Sequence, residues 1–236
     1  MPKKFSSSAR ARPPRGRGLL AGLGFLAWLD AGGQAAPESA QPAAESAAFD
    51  LLAPLGNDGP IGYFIGDASA DAGARDGDAE LCEWALADWV RNAEGRLAVE
   101  PAAEAEALVR IHFVAPGFGQ YGEMRPIRVG DRRGAIVYVR PDTGALGPEI
   151  AIAAREDPLL REAIVYLTCL HELGHALGLE HTAEFADVMY FFGYGGDVPA
   201  FFGRYRARLE SRDDISRRSG LSAGDIVQLL AIYPAD

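Results

Sequence analysis

From residue 57 onward, apolar and polar positions fall into two kinds of run. Short stretches alternate or are wholly apolar, as strands are, and longer ones repeat their apolar positions every three or four residues, as helices do. Ile61–Ile65 (IGYFI) predicts a short strand. Between Asp78 and Ala93, the apolar positions Leu81, Trp84, Ala85 and Trp89 recur at helical spacing, with Asp78 placed to cap the start and Gly95 to mark the end. Leu97–Val99 predicts a brief strand, Leu108–Val114 an alternating one, and Ala135–Val139 another, closed by the turn sequence PDTG at 141–144. Pro116–Gly134 is rich in Gly and Arg and reads as a long loop. Strands and helices interleave, which predicts an α/β or α+β domain. The clearest helix comes next. Asp157 is a good N-cap, Pro158 suits the first helical position, and Leu159–Leu177 then runs without a breaker to Gly178.

The first 56 residues follow neither pattern. Residues 1–18 carry six basic groups and no acid, Leu19–Leu29 form an apolar run, and Gly33-Gln34-Ala35 supplies small residues at a cleavage site. That succession predicts a secretory signal peptide over 1–35, and hence a secreted or periplasmic protein; an uncleaved N-terminal anchor is the alternative. Residues 36–56, rich in Ala, Pro, Ser and Glu, predict a disordered linker or short pro-segment ahead of a catalytic domain at 57–236.

Charge sharpens this division. The net charge of the 236 residues is −10, but from residue 36 on there are 17 arginines against 32 acids and no lysine, a net charge of −15. An acidic chain is a poor ligand for a phosphate backbone, so no nucleic-acid partner is expected. Stable membrane insertion is not expected once the signal is removed, and the mature protein is expected to be a monomer. Two cysteines are too few for a disulfide framework or a Cys-rich zinc ribbon.

The candidate chemistry lies in His171–His181, HELGHALGLEH, which holds three of the chain's four histidines. Residues i and i+4 share a helix face, so His171 and His175 can point at one ion. Zinc wants further ligands in tetrahedral directions, and Gly178 lets the chain turn so that His181 can supply the third. The fourth position stays open for water, the arrangement of a catalytic zinc, with Glu172 beside it as a base. The fourth histidine, His112, sits in a predicted strand and reads as a packing residue.

HExxHxxGxxH, followed eight residues later by Met189 in DVMY, resembles the zinc signature and Met-turn of the metzincin metallopeptidases, closest to the bacterial-type matrixin-like families. The resemblance extends to Tyr63–Asp67, the Trp84/Trp89 helix, Leu97–Glu100, Val109–Phe113 and the terminal LSAGDI…LAIYP. It implies an α+β zincin domain: a twisted mixed sheet packed on a first helix and the active-site helix, then a small C-terminal subdomain ending in a helix. It also implies that His171, His175 and His181 bind one catalytic Zn2+, that Glu172 is the general base and acid, and that Gly178 and Met189 are structural.

This sequence departs from the family pattern in places. Phe191 stands where astacins and serralysins carry a tyrosine ligand and where matrixins usually carry proline. The matrixin propeptide motif PRCG is absent, and 116–134 holds no histidine for a second, structural zinc; calcium sites cannot be assigned. The stretch 190–220, rich in aromatics and arginine, is longer than matrixins need. By resemblance, Tyr190, Phe191 and Tyr194 are candidates for a substrate pocket, with a satellite hydrophobic cluster as the alternative. The arginines at 204, 206, 208, 212, 217 and 218 read as a solvated face or as a site for acidic substrates. Cys169, two positions before His171, points away from the metal face. Cys82 lies on the helix that in metzincins packs against the active-site helix, so the two can form a disulfide or remain buried thiols. The implied function is a secreted zinc endopeptidase acting on peptide or protein substrates. Alternatives are a zinc hydrolase of a cell-wall amide and a catalytically silent binding protein.

Overall fold

The computed structural model describes residues 53–56, 58–118 and 121–235. The predicted signal peptide, and the linker before residue 53, lie outside the described residues. The fold is α+β, with a five-stranded mixed sheet and six helices among those residues. Leu55, two positions before the expected domain start, is already in the core, and its N–H donates to the Tyr233 hydroxyl (3.2 Å).

The strands are β1 (Ile61–Ile65), β2 (Val99–Pro101), β3 (Val109–Phe113), β4 (Gly122–Val129) and β5 (Arg132–Val139), in the order β2-β1-β3-β5-β4. All neighbours are parallel except β4 and β5. β4 and the start of β5 occupy the stretch expected to be a long loop. Gly130 (φ +59°) opens their two-residue turn, where a side chain would be strained. The strand is hard to read because its residues are mixed in polarity and it contains Pro126, which has no N–H to give. An edge strand tolerates both. Arg140 N–H donates to Tyr121 C=O (3.0 Å), so by the two-residue alternation Gly122, Met124 and Pro126 direct their backbone polar groups away from β5. The proline therefore costs no ladder bond.

Helix α1 (Asp78–Asn92) has the expected length, but Asp78 is not its cap. Gly77 is, at φ +91°, and Asp78 is buried in a salt bridge with Arg161 (Nη2–Oδ2 2.7 Å). A buried guanidinium outcompetes the capping role because leaving it unpaired costs more than a lost cap. The helix closes at Ala93, where the apolar spacing predicts, two residues before Gly95. Helix α2 (Pro148–Glu156) lies in a stretch the apolar spacing left unassigned, and buries Ile150, Ala151 and Ala154. Helix α3 (Pro158–Leu177) is as expected: Asp157 accepts from Leu159 N–H and Leu160 N–H (both 3.1 Å), and Gly178 closes it at φ +101°.

The core lies between the sheet and the α1–α3 pair. Trp89 Nε1–H donates to Leu170 C=O (2.9 Å), and the Tyr166 hydroxyl donates to Asp88 (2.6 Å), so the two helices are fixed in register as well as packed. Helices α4 (Val198–Arg206), α5 (Asp213–Arg217) and α6 (Ala223–Ile232) complete the C-terminal part.

Candidate metal centre

The last two turns of α3 carry His171, Glu172 and His175, and the left-handed Gly178 turns the chain so that His181 comes back to them. The ligand atoms of the three histidines all lie within 4.8 Å of one another, with His175 Nε2 and His181 Nε2 3.0 Å apart. They are placed to hold a metal ion. His171 Nδ1 faces the Val188 carbonyl (2.6 Å) and His175 Nδ1 that of Leu179 (2.9 Å). A carbonyl can only accept, so each Nδ1 carries the hydrogen and each Nε2 lone pair points inward. His171 Nε2 is buried and has no hydrogen-bond partner among the described residues. Such an orphaned acceptor needs a partner, and a cation shared with two other imidazoles is one. Burial lowers all three pKa values, that of His181 to about 4, and neighbouring imidazoles add to the effect at His171 and His181. The neutral form is the one that ligates metal.

A second layer holds these ligands. Asp225, buried at the third position of α6, accepts from Val188 N–H (2.9 Å) and Met189 N–H (3.2 Å). It also accepts from Ser222 N–H (2.8 Å), while Ser222 caps α6. The terminal helix thus grips the turn whose Val188 carbonyl orients His171. Met189 is fully buried beneath α3, and a side chain at Gly174 would overlap its sulfur, which explains the glycine between Leu173 and His175. Arg133 donates to the Ala176 carbonyl (2.7 Å) at the C-terminus of α3, where a cation also suits the helix dipole. Sequence spacing gave no signal for Gly174, Asp225 or Arg133.

His181 sits on a loop and is held differently. Thr182 N–H donates to Met189 C=O (2.8 Å) and Phe191 N–H to Thr182 C=O (3.0 Å), and the Phe191 ring lies 4.8 Å from the imidazole, tilted by 32°. Tyr194 rests edge-on against Phe191 and is exposed. Tyr190 is buried, and its hydroxyl donates to the Gly195 carbonyl (2.8 Å). Of the three proposed pocket residues, Phe191 therefore flanks His181, Tyr194 stands behind Phe191, and Tyr190 supports the loop. The niche beside Glu172 is walled instead by Phe192, Phe201 and Phe202.

Glu172 is 1% exposed, and burial pushes its carboxyl up to about 8, with the Glu123 charge adding and Met124 N–H opposing. β4 comes so close that a Cβ at Gly122 would stand 2.6 Å from Glu172 Oε1 and 2.8 Å from Thr168 Cγ2, so a side chain there would displace the carboxyl. The edge strand and the candidate base are built against each other.

The remaining predicted residues lie elsewhere. Cys82 on α1 and Cys169 on α3 are both buried free thiols; burial raises the Cys169 pKa, with the neighbouring Cys82 adding to it. His112 faces Glu104 (3.5 Å) and is not among the clustered histidines. Of the six arginines, Arg208, Arg217 and Arg218 are exposed, as a solvated face has them, while Arg204, Arg206 and Arg212 are partly buried against backbone and acids. Arg204 binds the carbonyls of Phe185 and Ala186 (2.9 Å for the latter), Arg206 pairs with Asp157 (2.7 Å), and Arg212 reaches Glu80 and Glu162 while lying over Trp84.

No family model matches this chain, and no curated protein matches it.

Proposed function

We propose that this chain is an exported zinc endopeptidase of metzincin type. The observation that carries the proposal is the convergence of three imidazole nitrogens, two of them on α3 and arranged to present a lone pair, next to the buried Glu172 carboxyl of the same helix. An all-imidazole set suits zinc among the common divalent ions, and three protein ligands leave a coordination position for chemistry. The HExxH spacing, Gly178, His181 and the buried Met189 support the assignment to this family. Residues 1–35 support export.

When bound, zinc would supply a Lewis acid for the scissile carbonyl and lower the pKa of water at the site. The chain's own residues do the rest. Glu172 receives the proton of the attacking water and returns it to the leaving amine. A nearby dication favours the carboxylate form that this needs, against the effect of burial. The outward backbone groups of Gly122 and the outward carbonyl of Met124 offer an extended peptide a strand to pair with, and Pro126 has no N–H to continue that ladder. The peptide then lies along β4, directly above Glu172.

The test is turnover on a peptide library by zinc-loaded protein, with and without a chelator. The expected result is chelator-sensitive cleavage of peptide bonds. Cleavage confined to cell-wall fragments, or no cleavage at all, would contradict the proposal.

A further inference from the structure

The niche beside Glu172 is small. Leu167 and Thr168 of α3, Val188, Phe192, Phe201 and Phe202 line it together with His171 and Glu172, and its volume is about 20 Å³. That space holds about one water or one methyl group, whereas a benzene ring needs roughly 150 Å³. The wall is anchored. Phe201 and Phe202 are buried and meet edge to face at 5.3 Å; Phe201 also meets Phe192 at 4.9 Å and Phe185 at 5.8 Å. The Arg204 guanidinium lies over the Phe201 ring at 4.4 Å while its nitrogens hold the chain at 185 and 186. Moving Phe201 aside would disturb the turn that carries Met189.

More room exists behind this wall. A cavity of about 260 Å³ shares Leu167, Val188 and Phe201 with the niche and extends to Arg204 and Arg208. Leu167, Val188 and Phe201 line both and so stand between them. Because His171 and Glu172 both line the niche, a peptide whose scissile carbonyl meets the metal brings one of its two flanking side chains against it. We infer that this peptidase accepts only a small residue (Gly, Ala or Ser) at one position flanking the cut bond, and that Phe192 and Phe201 set the limit. The inference rests on the peptidase reading and adds the substrate class to it.

A position-scanning peptide library cut by the zinc-loaded wild-type protein tests it. Cleavage with Ala or Ser at one flanking position should exceed cleavage with Phe or Leu there by at least about tenfold, the scale of steric discrimination in a closed pocket. Phe192→Ala removes a half-buried ring from the wall and should reduce that ratio by about tenfold with zinc content unchanged; Phe201→Ala removes a ring that also lines the larger cavity and should reduce the ratio likewise. Calorimetry of the same peptides binding to zinc-loaded Glu172→Ala protein gives a readout without turnover, and should show the same preference for small residues. Wild-type cleavage that is as fast with Phe or Leu at both flanking positions as with Ala would overturn the inference while leaving the peptidase reading intact. No cleavage of any peptide would overturn both.

Discussion

The three histidines are held by two unlike regions. His171 and His175 stand on a regular helix, and backbone carbonyls fix both rings; the one on His171 belongs to a turn that α6 grips through Asp225. His181 stands on a loop and relies on one short bridge and the face of Phe191. The helical pair is prearranged by local geometry. The loop ligand is placed by contacts between segments that come together only in the folded chain. One region should therefore respond to mutation in both stability and metal affinity, and the other mainly in metal affinity.

His171→Ala should have the largest effect. It removes a ligand and a buried ring, so zinc affinity by calorimetry should fall more than about a hundredfold, and the metal-free protein should melt lower by several degrees, roughly 2–4 °C per kcal/mol lost. His181→Ala should match the affinity loss with little change in the metal-free melting temperature. Equal destabilisation by both would break the comparison.

Asp225→Ala comes next. It leaves the N–H groups of Val188, Met189 and Ser222 without their acceptor, at about 3 kcal/mol of stability in denaturant titration. It should also weaken zinc by about 10- to 100-fold through the freed His171 ring. Stability loss without loss of affinity would cut the link between α6 and the site. Gly174→Ala should cost about 1–3 kcal/mol, because its methyl overlaps the Met189 sulfur. Gly174→Ala with Met189→Ala should recover part of that loss if the overlap is the cause. Phe191→Ala is the smallest change, a few-fold faster zinc release by stopped flow with unchanged melting, at about the 1 kcal/mol worth of an aromatic pair.

The same contrast explains what could be read in advance. Helix α3 was legible from end to end because its signals are local: a capping Asp157, Pro158 at the first turn, unbroken apolar periodicity and Gly178. The three histidines were legible because their spacing is itself geometry. β4 was not, since an edge strand needs only alternate backbone groups satisfied and tolerates mixed polarity and Pro126. The role of Asp78 was misread for a related reason. Its partner Arg161 lies 83 residues away, and nothing in the local pattern marks the pair. Asp225 and Arg133 act on the site over similar separations, so their effect on the histidines appears only once the chain is folded. The arginines at 204–212 look like a charge patch in sequence, yet most of them tie backbone and acids together in space.

The central claim is that Glu172 moves the proton while the histidines hold the metal. The direct test is to load Glu172→Ala protein with zinc and measure metal content and peptide cleavage on one sample. We expect one zinc per chain, as in the wild type, with cleavage reduced by about a thousandfold. A zinc-loaded variant that cleaves at the wild-type rate would contradict that claim.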